Sequence, residues 1–348
     1  MAEKEDRILV VRVGAMGDVL HAMPAVAALR KAHPAAEIGW VVDPRWESLL
    51  GPELVDRIHL APTKAWNKKP FSLQTLQDIL RLRRELRAVK YSVSVDLQGS
   101  FRSAVIARMS GAERRVGRNV PRETIARRFY SERVDTVSAH VIDQAVEIMR
   151  VAAKDPSLQA EPVTFPLDAN AERWCESLLR DDSKPLAVVA PSAGWGAKQW
   201  PAERYGAVAA ALAEHGVRVL VNAVPTTEEH GGDLLAAAVV TASNGYAEAV
   251  ECSLPQLTAL LRRASLLVGG DTGPLHLAAA MDVPVVAVFG PTDPKRTGPY
   301  GVRSVVLRDA SSVTDHGRYK DAEAGLLKIS VESVVRAATR LLEGREGE

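Results

Sequence analysis

Short β-branched runs alternate along this chain with longer stretches in which apolar residues recur every three or four positions, the pattern of an α/β sheet protein. In the first half the runs predict strands over Arg7–Val13, Glu37–Val42, Arg57–Ala61 and Tyr91–Asp96, with helical periodicity near Asp18–Lys31 and Ser72–Val89. Ile8, Leu9, Val10 and Val11 form an unbroken apolar run, as expected of a parallel strand covered on both faces. A second series follows the proline-punctuated segment Glu161–Asp168, with strands expected at Leu186–Ala190, Val217–Val221, Leu266–Val268 and Val285–Phe289. The pattern therefore predicts two α/β domains, over residues 1–165 and 184–329, and a last helix beginning near Ser330. No repeat of fixed period is visible.

A length of 348 residues suits two domains. The apolar fraction of 47 % and charged fraction of 25 % exclude disordered and low-complexity classes. No apolar run approaches the roughly 20 residues needed to cross a bilayer. The start is charged and interrupted by Arg12 and Asp18, unlike a secretory signal. Two cysteines, Cys175 and Cys252, make no disulfide framework, so a reducing cytoplasm is the expected setting.

The formal charge of +1 hides an asymmetry. Between Arg57 and Arg133 there are 18 basic and 6 acidic residues, a net of +12, leaving about −11 for the remainder. Such a block points to a polyanionic partner, although basic helix faces such as LRLRRELRAVK also simply face water. Aromatics make up only 5 % and do not interleave with basic residues, so nucleic-acid stacking is not suggested. An anionic lipid head group or membrane surface fits the charge.

Candidate chemistry gathers at strand ends, where open parallel sheets bind ligands. After the first strand comes Gly14-Ala15-Met16-Gly17-Asp18, a tight turn into a helix whose G-x-x-G spacing is not the dinucleotide fingerprint. Spacing alone favours Asp18 as the N-cap of that helix; the functional alternative is a carboxylate base at the rim of a cleft. Gly269-Gly270-Asp271-Thr272-Gly273-Pro274-Leu275-His276 likewise follows a strand. With Pro274 expected to open a helix, the amides of Thr272 and Gly273 suit a phosphate better than an ordinary cap. Between them, Pro191-Ser192-Ala193-Gly194-Trp195-Gly196-Ala197-Lys198 lets backbone approach a ligand and supplies a mobile positive charge, without the G-K-[ST] of a P-loop. Glu228 and Glu229 stand where a carboxylate would hold ribose hydroxyls, or merely charge a first helical turn. Scattered histidines and the absence of H-E-x-x-H, C-x-x-C or an Asp-x-Asp pair give no support to a metal site.

The segments RILVVRVGAMGDVLHAMPAVAAL, IGWVVDPRWESLL, VDLQGSFRSAVIAR, PSAGWGAKQWP and GGDTGPLHLAAAMDVPVVAVFGPTDPKRTGPYG, in that order, resemble the bacterial lipopolysaccharide heptosyltransferases of glycosyltransferase family 9. The resemblance implies a GT-B fold, two Rossmann-like domains facing across a cleft, with the C-terminal helix (330–344) returning to the first. It implies inverting, metal-independent transfer of L-glycero-D-manno-heptose from an ADP-heptose donor to Kdo on lipid A, with no cofactor. The family's base falls on Asp18 and its diphosphate lysine on Lys198. Other donor contacts fall on Ser192, Asp271, Thr272, Gly273, His276 and either Glu228 or Glu229. Arg122 matches an acceptor-binding arginine, and Lys64, Lys68 and Lys69 would meet lipid A phosphates or the inner leaflet. A monomer, peripheral on the cytoplasmic face of the inner membrane, is expected. The alternatives are another family 9 transferase, adding a second heptose or a different sugar, and a non-catalytic sugar-nucleotide-binding protein of the same fold.

Overall fold

The computed structural model describes residues 7–180, 183–225, 233–315, 317 and 319–344. They divide into two compact units, Met1–Pro166 and Leu167–Glu348.

The first unit holds strands β1 (Arg7–Val11), β2 (Glu37–Val42), β3 (Arg57–Leu60), β4 (Val93–Asp96), β5 (Arg114–Arg118) and β6 (Glu132–Val134). All pair in parallel, in the order β3-β2-β1-β4-β5-β6. Helices α1 (Met16–Ala32), α2 (Thr63–Lys68), α3 (Leu73–Val89), α4 (Phe101–Met109) and α5 (Val141–Ala153) connect them. Residues 8–11 of β1 are all buried, as its continuous apolar run requires. Helix α1 buries eleven of its seventeen residues and packs on α5, so it is covered on most sides. Helix α3 is one-sided: Thr75, Leu82, Leu86 and Val89 face inward, and Ser72 caps its start by accepting from Thr75 N at 3.1 Å.

The second unit repeats the plan. It begins with α6 (Ala169–Leu178), followed by strands β7 (Leu186–Ala190), β8 (Arg218–Ala223), β9 (Ala247–Glu251), β10 (Leu266–Gly270), β11 (Val285–Phe289) and β12 (Ser304–Arg308). Its helices continue with α7 (Ala202–Glu214), α8 (Leu234–Ala242), α9 (Leu254–Leu261), α10 (Gly273–Ala280), α11 (Pro294–Thr297) and α12 (Val331–Leu342). The sheet is again fully parallel, in the order β12-β11-β10-β7-β8-β9. Counted from the first strand of each unit, both sheets run 3-2-1-4-5-6, the doubly wound order. The order reverses between β1 and β4 in one unit and between β7 and β10 in the other. Those two places are where a ligand crevice is expected.

The expectation that the C-terminal helix returns to the N-terminal domain is corrected. Val334, Ala337, Ala338 and Leu341 of α12 sit in the core of the second unit with Trp200, Tyr205 and Leu326, and α12 packs on α7. Its apolar face is spent there. Ser330 caps it, accepting from Ser333 N at 3.2 Å. Among the described residues no helix is long and apolar enough to cross a membrane.

Because α12 closes this core, Val334→Asp buries an unpaired carboxylate and is expected to cost about 3 kcal/mol or more. Arg336→Asp, on the exposed side of the same helix, changes stability by about 0.5 kcal/mol or less. Urea unfolding of the two variants measures the contrast; equal midpoints would remove α12 from the core.

Candidate active site

In the first unit the crevice between β1 and β4 is built around Arg12. Its backbone carbonyl accepts from Trp40 Nε1 at 3.0 Å. Its guanidinium pairs with Asp18 Oδ1 at 2.7 Å, donates from Nε to the Asp18 carbonyl at 3.0 Å, and donates from Nη1 to the Leu97 carbonyl beyond β4. The other Asp18 oxygen accepts from Ala15 N at 3.1 Å. Helix α1 begins two residues before Asp18, with Ala15 as N-cap, so Asp18 is a first-turn residue and not the cap. Its side chain is 40 % exposed against 13 % for Arg12: the carboxylate is held from one side and open on the other. Gly14 is required by proximity, since a Cβ there would stand 2.9 Å from Trp46 Nε1.

The facing loop is held by Asp96, fully buried at the end of β4. It accepts from Gln98 N at 2.9 Å, Gly99 N at 3.0 Å, Ser103 Oγ at 2.9 Å and Tyr130 Oη at 2.7 Å. Burial pushes the Asp96 carboxyl up, while these donors pull it down. The side-chain oxygen of Gln98 then accepts from Val13 N at 2.8 Å, tying this loop to the turn that leads into α1 and Asp18.

In the second unit the crevice between β7 and β10 is bridged by charge. Lys198 Nζ lies 2.5 Å from Asp271 Oδ2, and His276 Nε2 lies 2.9 Å from Asp271 Oδ1. Asp271 is buried, which by itself raises a carboxyl. The hydrogen bond from His276 and the charges of His276 and Lys198 more than offset this and hold it well below the usual carboxylate range. Lys198, expected as a mobile charge, is thus tethered, and it also lies 5.0 Å from the centre of the Trp195 ring. Thr272 is the N-cap of α10, with Gly273 first and Pro274 second, one position later than expected. The Thr272 hydroxyl turns back to the Gly270 carbonyl at 3.3 Å, and no side chain caps the helix, so its first-turn amides remain available to an anion. Ser192 donates to Asp233 Oδ2 at 2.8 Å, while Asp233 also accepts from Val224 N and caps α8. Glu228 and Glu229 lie outside the described residues.

The remaining basic candidates follow strand ends of the first sheet. Lys64 and Lys68 are on α2 after β3, Lys69 closes that helix, and Arg122 follows β5, its backbone nitrogen packed near Gly99. All four are exposed. Neither buried cysteine is a nucleophile candidate; burial, with Cys175 adding, pushes the Cys252 thiol up to about 12. Sequence reasoning brought together Lys198, Asp271 and His276 but missed Arg12, Asp96, Gln98 and Asp233. Arg12 had a visible signal, a charge interrupting an apolar strand. Asp96 had a similar one at the end of Val93–Asp96.

The sequence profile of glycosyltransferase family 9 (heptosyltransferase) matches residues 79–325. The chain is 30 % identical over 313 residues to lipopolysaccharide heptosyltransferase 1 of Escherichia coli K12, covering 87 % of this chain and 93 % of that protein. Its fold superposes on E. coli heptosyltransferase WaaC with ADP at a TM-score of 0.75 and 25 % identity, covering 95 % and 98 % of the two chains. A family 9 glycosyl transferase from Veillonella parvula gives a TM-score of 0.82 at 23 % identity, with 99 % of each chain covered.

Asp271→Asn is expected to destabilise the protein by about 3 kcal/mol at neutral pH, because it leaves Lys198 and His276 without their anion. A lowered folded-state value means that the carboxylate stabilises fully above the ordinary aspartate range, about pH 4, and loses that contribution as pH falls toward the folded value. Denaturation of both proteins at neutral pH and near pH 3 should show the gap closing with acid; a gap independent of pH contradicts the assignment.

Proposed function

The chain belongs to glycosyltransferase family 9, the heptosyltransferase family, and on that premise we propose that it transfers L-glycero-D-manno-heptose from ADP-heptose to the Kdo residue of Kdo-lipid A, with inversion and without a metal. It is a glycosyltransferase by family; similarity to lipopolysaccharide heptosyltransferase 1 supports the finer donor and acceptor. The observation that carries the mechanism is the half-open carboxylate of Asp18, fixed at a strand end by Arg12 and Ala15 N.

In this reading Asp18 takes the proton of the attacking Kdo hydroxyl as its oxygen bonds to the anomeric carbon. The bond from that carbon to the phosphate oxygen breaks, and ADP departs with the electron pair. Negative charge then grows on the diphosphate, where Lys198 Nζ and the first-turn amides of α10 stabilise it. Asp271 is a positioning residue, since a carboxylate against a phosphate would repel it; it holds Lys198 and, through Oδ1, His276. Ser192 and Thr272–Gly273 complete the donor contacts, with Glu228 or Glu229 at the ribose. Lys64, Lys68, Lys69 and Arg122 pair with anionic groups of the acceptor. The enzyme acts as a monomer, peripheral on the cytoplasmic face of the inner membrane.

General-base removal is typically worth about 10²–10⁴-fold, so Asp18→Asn should lower kcat about 100-fold or more while ADP affinity is kept. Retention of more than about a tenth of wild-type kcat contradicts the role. Charge reversal at Lys64, Lys68 and Lys69 should raise acceptor KM and leave ADP affinity unchanged, both read by steady-state kinetics and calorimetry. Equal losses for both ligands would show general destabilisation instead.

A further inference from the structure

The outward face of α3 is unusual for a surface helix. Opposite its buried Thr75, Leu82, Leu86 and Val89, the residues Leu73, Leu76 and Leu80 stand 78 %, 53 % and 46 % exposed. Phe71, two residues before the helix, is fully exposed. At helical spacing the same stripe continues into Arg83, Arg84 and Arg87, all exposed. Gln77, Leu80, Arg83, Arg84, Arg87 and Ala88 together line a shallow open cleft. Isolated exposed leucines need no explanation; three in one row, preceded by an exposed phenylalanine and followed by three arginines, do.

Charge decides what fits this stripe. The two acids of α3 lie toward its flank and are engaged elsewhere: Asp78 accepts from Gln74 at 2.9 Å and Arg81 at 3.4 Å, and Glu85 lies 3.9 Å from both Arg81 and His59. Arg87 reaches the Met109 carbonyl at 3.4 Å. Among the described residues Arg83 and Arg84 have no hydrogen-bonded or ionic partner. With Lys64 on α2 and Lys69 at its end also exposed, the region offers apolar side chains beside positive charge. Neither a protein core nor a neutral partner satisfies both halves. A bilayer bearing anionic head groups does, because leucine and phenylalanine enter the acyl boundary while arginines meet lipid phosphates.

We propose that α3, with Phe71 at its leading end, is an interfacial helix that docks this protein on an anionic bilayer. At 1.5 Å per residue the helix is about 25 Å long, enough to lie along the surface rather than to cross it. The inference deepens the proposed function, and rests on it only in that a lipid-anchored acceptor is then met on the surface where α3 lies.

The test is flotation of the full chain with vesicles of phosphatidylcholine containing about 30 % phosphatidylglycerol, against phosphatidylcholine alone, at low and high salt. Wild type should partition about tenfold better to the anionic vesicles, and less so as salt rises. Leu76→Gln with Leu80→Gln should lower binding about tenfold. Arg83→Gln with Arg84→Gln should lower it about fivefold per charge and flatten its salt dependence. All four positions are exposed, so thermal melts, ADP affinity and turnover of a deacylated, soluble Kdo acceptor should match wild type. Equal wild-type binding to both vesicles, or wild-type binding by the leucine variant, overturns the proposal. So does a lipid-free self-association that the leucine variant abolishes, since the face would then belong to a second copy. If flotation behaves as stated but no variant or wild type turns over the soluble acceptor, it is the proposed function that fails and not the docking surface.

Discussion

A doubly wound sheet sends its connections to opposite faces on either side of its centre, and the loops left at that point are no longer held by the strand ladder. In both units a charged side chain takes over the holding. Arg12 grips Asp18 by carboxylate and carbonyl and reaches the Leu97 carbonyl across the first crevice. In the second, Asp271 ties Lys198 to His276. A half-exposed ion pair alone is worth only about 0–1 kcal/mol. What makes Arg12 a firm bracket is the number of fixed groups it meets, together with the Trp40 indole bonded to its own carbonyl.

The two brackets put the same chemical group to different uses through environment alone. Asp18 has one side bonded and one open, which is what a proton acceptor needs. Asp271 is buried and doubly paired, with its carboxyl held far below the usual range, which suits it to anchoring cations and not to proton transfer. The uncapped start of α10 lies immediately after it, so Lys198 and the amide dipoles collect positive potential in one place. Asp96, buried behind the first crevice, has no opening to a substrate; its four donors make it a structural hub whose effect reaches the Asp18 loop through Gln98.

Continuous apolar runs made β1, β2, β7 and β11 legible because central parallel strands are buried on both faces. Glycine-rich turns after β1 and β10 marked the strand ends where function was sought. β5 and β6 were not legible: RRVGR and ERV carry no apolar period, and their arginines are satisfied only by the fold, Arg114 by Glu132 and Arg118 by Thr136 and Gln144. The final helix was legible as a helix, but its apolar face does not say which core it completes; α7 and the second sheet supply that. Pairings across many residues were equally hidden. Lys198 meets Asp271 only because β7 and β10 are neighbours, and Ser192 meets Asp233 only because β7 also borders β8. The exposed leucines of α3 looked like ordinary helical periodicity until the buried face was known.

Sugar transfer driven by protein groups alone is the central proposal. The most direct measurement is mass analysis of Kdo-lipid A after incubation with this protein, ADP-heptose and a chelator of divalent metals. Addition of one heptosyl residue to the lipid, matched by release of one ADP, is the predicted result. Release of ADP without a heptosylated lipid, or transfer only after a divalent metal is restored, would contradict it.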